Sequence, residues 1–267
     1  GGIALAEDET PVAFRVQSAE KTFATYELTV TNPGGHSSRP RADNAIYELA
    51  EVLRKIAAYK FPVQATELTR NYFATAGKLT PGKLGEAMLR FAADPSDASA
   101  IVTLQADPES VGTLGTTCVA TMLQAGHAEN ALPQSATATV NCRIFPGTGA
   151  AATEAKLKEI VGNDNVTFKL TTDVTESPES KLRDDVKAAV RYSIDKRYPG
   201  LTILPYMESG GTDGMHYRNL GYDTVAISGA AMKASDMFAH GLNERLPVAS
   251  FYGGLDHWYW VLKKLAE

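Results

Sequence analysis

Residues 113–173 read TLGTTCVATMLQAGHAENALPQSATATVNCRIFPGTGAAATEAKLKEIVGNDNVTFKLTTD, and the order of elements in them decides the fold. TLGTTCVATMLQ (113–124) and SATATVNCRIF (135–145) are rich in Thr and Val, as strands are, and the turn-like AGHAENALP separates them. Pro146-Gly147 ends the second strand, ATEAKLKEIVG (152–162) reads as a helix, and NVTFKLTTD (165–173) reads as a strand again. Upstream, ATYELTVTN (24–32) alternates polar and apolar residues until Pro33-Gly34-Gly35 breaks it. NAIYELAEVLRKIAA then spaces its apolar residues for a helix from about Asp43 to Ala58, with Asp43 or Asn44 placed to cap it. Strand, helix, strand, strand, helix, strand is the ferredoxin-like, split βαβ order. Short helices at 66–75 and 82–93 enlarge its first connection. The expected domain runs from 22 to 174.

Beyond it, TESPESKL (175–182) is polar, carries a proline and reads as a hinge. A helix (183–197), a strand (201–206), a Gly-rich loop (209–214), a strand (223–228), a long loop and a final helix (247–265) follow. This αβ alternation belongs to parallel sheets. Residues 1–21 add one more strand. The expected class is therefore α/β, with an α+β domain at 22–174 set into a parallel-sheet domain formed by 1–21 and 175–267. Two strands and two helices cannot close such a sheet, so the chain is expected to be part of a longer protein.

The 267 residues carry a net charge of −5, with 44% hydrophobic and 21% charged residues. That balance gives no electrostatic footprint for nucleic acid or an anionic membrane. No apolar run approaches the roughly 20 residues that span a bilayer. GGIALAEDETPVAF opens without an initiator Met and without the basic and apolar segments of a signal peptide, which leaves localisation open. Cys118 and Cys142 lack CxxC spacing; two buried free thiols are expected, with a disulfide as the alternative.

Several residues have the right type and setting for chemistry. His36 follows two glycines in TNPGGHSSRP (31–40), where a loop tip presents an imidazole to donate to an oxyanion or to move a proton. A loop histidine held by neighbouring hydroxyls is the plainer alternative. His240, in FAHGLNERL (238–246), suits a zinc ligand, though one histidine is a weak metal signal. Gly210, Gly211 and Thr212, in SGGTDG, offer backbone N–H groups and a hydroxyl to a carboxylate, or form an ordinary tight turn. Arg143, inside an apolar strand, needs solvent or an anionic partner, and its fork suits a carboxylate. Asn130 caps a turn or points its amide at a ligand. His127, His216 and His257 fit no constellation.

Taken in order, TNPGGHSSRP, GHAENALPQSATATVNCRIFPG, MESGGTDGMHYRNLG and FAHGLNERL resemble one superfamily: acetylornithine deacetylase, succinyl-diaminopimelate desuccinylase, aminoacylase and glutamate carboxypeptidase. The GGHSSRP form and the helical insertion look most like its carboxypeptidase S and N-acyl-amino-acid hydrolase branch. The resemblance implies a hydrolase with a two-zinc catalytic domain interrupted by a ferredoxin-like lid, or dimerisation, domain. This chain would then hold the lid and the C-terminal part of the catalytic domain. The family's His-x-Asp, Asp and Glu-Glu positions are not in the sequence, so the chain by itself is expected to be inactive. By the match, His240 is the remaining zinc ligand and His36 stabilises the oxyanion. Asn130, Arg143 and residues 210–212 would contact a peptide or N-acyl amino acid, Arg143 at its free carboxylate. In dimeric relatives the lid histidine and asparagine reach the neighbouring subunit's site. The competing reading is a dimerisation or binding module without activity of its own.

Overall fold

The computed structural model describes residues 1–239 and 241–267; the expectation for His240 falls outside the described residues. Two strands open the chain where one was expected. β1 (Gly2–Leu5) pairs antiparallel with β2 (Pro11–Glu20). One residue, Lys21, separates β2 from β3 (Thr22–Thr31), yet the two strands lie in different sheets. A long unpunctuated run thus hides a sheet boundary. The short β4 (Gly35–His36) precedes α1 (Ala45–Ala58). Asn44 caps α1, its Oδ1 accepting from the N–H groups of Ile46 and Tyr47. The insertion holds α2 (Glu67–Leu79), α3 (Gly82–Ala93), α4 (Ala98–Gln105) and α5 (Pro108–Val111).

Strands β5 (Thr117–Ala125), β6 (Ala131–Leu132) and β7 (Ser135–Ile144) follow, then α6 (Ala150–Val161) and β8 (Val166–Leu170). The sheet order β5-β7-β3-β8 is antiparallel throughout. Alternation along β3 sends Ala24, Tyr26, Leu28 and Val30 to one face, all fully buried. They meet Val140 and Ile144 of β7, Leu49, Val52 and Ile56 of α1, and Leu157 and Val161 of α6. The other face carries Phe23, which is exposed, and Thr25, Glu27 and Thr29, which are half-buried.

Cys118 and Cys142 stand directly opposite on β5 and β7 and form a disulfide, not the two free thiols expected. Only the strand register brings them together, and spacing alone does not encode register. The bond closes a separation of 24 residues. Replacing both cysteines by Ser should lower stability by about 3 kcal/mol on chain-entropy grounds. A denaturant titration checks this; an unchanged midpoint would show that the bond constrains nothing.

The last part holds α7 (Asp184–Ile194), β9 (Ile203–Glu208), α8 (Gly214–Asn219), β10 (Ala231–Lys233) and α9 (Val248–Leu265). The second sheet runs β10-β1-β2-β9, with β10 parallel to β1 and β9 parallel to β2. No strand forms at 223–228: Val225 and Ile227 pack inward, but only Ala226 bonds the sheet, at Gln17. On one face, Ile3, Phe14 and Val16 pack against Val190 and Ile194 of α7. His257 of α9 is buried beside Phe14, with Ser193 Oγ 2.9 Å from its Nδ1, and burial pushes its pKa down to about 4. On the other face, Ala13 and Leu204 share a core with Phe73, Met88, Phe91 and Leu104 of the insertion.

The sequence reading put the insertion with the 22–174 domain; in the structure that segment also packs on the β10-β1-β2-β9 sheet. The 175–182 segment, read as a hinge, is irregular; Ser177 and Ser180 are buried in it, and Ser180 N–H donates to Ser18 O. No described helix is long and apolar enough to cross a membrane.

Candidate functional site

The sequence-predicted residues fall into two groups. The first is a tip at the far end of the lid sheet. Asn32 holds the turn by accepting from Gly34 N–H and donating to the Asp43 carbonyl and carboxylate. Gly34 has φ +76°, and a Cβ there would lie 2.7 Å from Gln134 Cγ, so glycine is required. The chain then pairs Gly35 with Leu132 and His36 with Ala131, and Ser37 N–H donates to the Asn130 carbonyl at 3.0 Å. His36 and Asn130 therefore sit side by side, both exposed.

The imidazole is oriented by its own loop. Ser38 N–H lies 3.1 Å from His36 Nδ1, and Ser38 Oγ lies 2.8 Å from it. A backbone N–H can only donate, so Nδ1 is the acceptor and the neutral ring carries its proton on Nε2. That leaves Nε2–H facing outward as a free donor.

The second group lies at the other end of the lid sheet. Arg143 stands opposite Phe23 on β3 and Thr117 on β5, its guanidinium 4.6 Å from the Phe23 ring centroid. It makes no hydrogen bond among the described residues. Burial lowers its pKa, and the Glu208 carboxylate at the end of β9 partly offsets that effect. Glu208 itself accepts from Tyr206 Oη and from the N–H groups of Ser209 and Gly210. Of the expected carboxylate loop, Gly210 and Thr212 thus have their N–H groups engaged, Thr212 by Glu20. Gly211 is exposed, and its N–H makes no hydrogen bond among the described residues.

Sequence reasoning missed the supports beneath this loop. Glu20, Gln17 and Arg218 are buried together. Arg218 Nη1 donates to Glu20 Oε1, and the pair is 1% exposed on both sides. Gln17 Nε2 donates to Thr212 Oγ1 at 3.3 Å and reaches Glu20 Oε2 at 3.4 Å. Lys21, also buried, donates from Nζ to the carbonyls of Gly112 and Gly115 and to Thr117 Oγ1. Burial, with a smaller contribution from the Arg143 charge, pushes Lys21 down to about 7. The readable signal was Glu20-Lys21 itself, two adjacent charges inside an unbroken stretch without glycine or proline.

The two groups are not neighbours. Eight residues of β3 separate the Arg143 register position at Phe23 from Thr31, or about 26 Å at roughly 3.3 Å per residue, and His36 lies beyond that end. One small substrate cannot touch both ends of one lid.

Comparison with known proteins follows the same outline. The peptidase dimerisation domain family (M20_dimer) matches residues 18–169. A probable carboxypeptidase S-like 2 of Dictyostelium discoideum is 27% identical over 258 residues, covering 95% of this chain and 48% of that protein. The N-fatty-acyl-amino acid synthase/hydrolase PM20D1 of Xenopus tropicalis is 28% identical over 88% of this chain and 46% of its own length. The chain spans about half the length of these relatives. Among solved structures, the M20 family metallo-carboxypeptidase Sso-CP2 of Sulfolobus solfataricus superposes with a TM-score of 0.67 at 18% identity. That match covers 99% of this chain and 62% of the other. Human carnosine dipeptidase 1 gives 0.64 at 13% identity, over 100% and 59%. At these identities the structural likeness concerns the fold alone.

Proposed function

The chain belongs to the peptidase dimerisation domain family, and from that membership we propose that it is the lid-bearing part of an M20-type amide hydrolase acting on carboxylate-bearing substrates. The substrates are peptides cleaved at their C-terminal residue or N-acyl amino acids, the two classes that the names of its relatives bracket. The supporting observation is Arg143, a partly buried guanidinium with no hydrogen-bond partner among the described residues, set beside the 208–212 loop. A substrate carboxylate supplies the bidentate partner that this fork lacks. Gly211 N–H adds a donor, and the Glu20–Arg218 pair holds Thr212 in place beside it.

His36 has a different task. When the amide carbon becomes tetrahedral, negative charge collects on the former carbonyl oxygen, and a donor aimed there lowers the barrier. The Nε2–H left free by Ser38 is such a donor, and the neighbouring Asn130 amide is a second. Because the tip lies so far from Arg143, we assign it to the site of a second subunit in a homodimer. Support for that pairing comes from β5, an edge strand with exposed Val119, Met122 and Leu123, and from exposed Ile46 and Tyr47 on the neighbouring α1. The resemblance implies two zinc ions. Among the described residues no three His, Cys, Asp or Glu side chains are grouped to hold a metal, and His240 lies outside them.

In the full-length enzyme, Arg143→Ala should raise KM by about 10- to 100-fold, the range of a charge-assisted hydrogen-bonded pair, with a smaller change in kcat. Substrates amidated at the carboxylate should lose this dependence on Arg143. An unchanged KM for Arg143→Ala would remove the guanidinium from the site.

A further inference from the structure

The turn between α6 and β8 reads Gly162-Asn163-Asp164-Asn165-Val166-Thr167. Of the asparagines in the chain, Asn165 alone has a hydroxyl residue two positions on with no proline between. The fold holds this turn without using the Asn165 side chain. Gly162 ends α6 in the left-handed conformation, and its N–H donates to the Lys158 carbonyl. Asn163 then accepts Asn165 N–H on its Oδ1 at 2.9 Å and Val166 N–H on its carbonyl at 3.2 Å. Val161 and Val166, both buried, pin the two flanks to the lid core. Asn165 and Thr167 stand on either side of Val166 and are exposed, and neither side chain makes a hydrogen bond among the described residues. The amide is therefore free to carry a bulky group without disturbing the turn.

We propose that Asn165 is the acceptor of an N-linked oligosaccharide, added as the protein passes through an oxidising secretory compartment. Asn-x-Thr on a surface turn is the pattern that the glycosylating transferase recognises. The Cys118–Cys142 bond is the independent sign of the compartment, since such bonds persist where the surroundings are oxidising and are rare where glutathione keeps thiols reduced. In the transfer, the Asn165 amide nitrogen bonds to the anomeric carbon of a sugar carried on a lipid diphosphate. The bond from that carbon to the diphosphate oxygen breaks, the lipid diphosphate leaves with the electron pair, and one amide proton is released. The place suits a permanent glycan. β8 is the outer strand of the order β5-β7-β3-β8, so the sugar stands at the edge opposite β5. Val166 pairs with Val30, at the other end of β3 from Phe23 and Arg143. The glycan thus leaves the β5 edge and the carboxylate end clear, while it screens an edge strand that would otherwise be open to another chain.

The test uses full-length protein isolated from the organism that makes it, with free thiols blocked at lysis. Trypsin releases residues 159–169, in which Asn165 is the one asparagine of the required pattern. Before deglycosylation the bare peptide should be the minor form. Peptide:N-glycosidase F in heavy-oxygen water should then make the peptide with a heavy-labelled aspartate at position 165 the major form. Full-length Thr167→Ala from the same host should lose that label and keep the Cys118–Cys142 bond. A mainly bare peptide in protein with an intact disulfide would show that Asn165 is not an acceptor. A bare peptide together with two blocked thiols would place the protein in a reducing compartment. A label that persists in Thr167→Ala would come from spontaneous deamidation. Each of these three results overturns the proposal.

Discussion

Replacing His36 by Ala in the full-length enzyme should lower kcat by about two to three orders of magnitude, the usual cost of one lost oxyanion donor. KM should move far less, because in the proposed role His36 serves an oxygen that carries its charge only in the transition state. The structure gives a reason to expect the full effect. The Asn32 turn holds the loop, and Ser38 N–H on Nδ1 leaves the proton of the neutral ring on Nε2. Steady-state kinetics and metal analysis of the purified variant check this together. A near-normal kcat would make His36 an ordinary loop residue. Loss of bound metal would make it a ligand or a structural support.

Glu20→Ala should destabilise the fold by about 3–5 kcal/mol, since removing one partner of a buried ion pair leaves the other charged and unpaired. Here the survivor would be Arg218, its side chain 1% exposed, with side-chain hydrogen bonds left among the described residues to Ser177 Oγ and the Thr224 carbonyl. Thr212 N–H would lose its acceptor as well. Replacing both members of the pair by Met should recover much of the loss, because an apolar pair leaves no bare charge. Denaturant titrations of Glu20→Met, Arg218→Met and the double Met variant against the parent form the necessary cycle. A loss under about 1 kcal/mol in Glu20→Ala would mean that water reaches Arg218 and the pair is not structural.

What was legible in the sequence follows from the range of the forces involved. Helix α3 occupies the residues 82–93 read for it, and Asn44 caps α1, because caps, breakers and apolar periods act over a few residues. Strand β3 was legible because one face is buried and alternation records it. The rest depends on contacts between distant segments. The insertion lies inside the lid sequence but packs on Ala13 and Leu204, and nothing in its own amphipathic faces names that partner. The Cys118–Cys142 bond needed the register of β5 on β7. Glu20 and Arg218 are 198 residues apart. For the site, GGH and SGGTDG could be read as loops with chemistry. Their separation along β3 could not, since it depends on which end of the sheet each loop leaves.

That separation makes the central claim testable in one measurement. Full-length His36→Ala and Arg143→Ala enzymes, each nearly inactive at low substrate, are mixed in equal amounts, dissociated and allowed to reassociate. In a two-fold dimer whose sites combine Arg143 of one subunit with the tip of the other, half of the dimers are mixed, and each holds one intact site. Activity should therefore recover to about one quarter of the parent value. If the mixture stays as inactive as its two components while mixed dimers demonstrably form, His36 and Arg143 serve the same subunit or no common reaction, and the account is wrong.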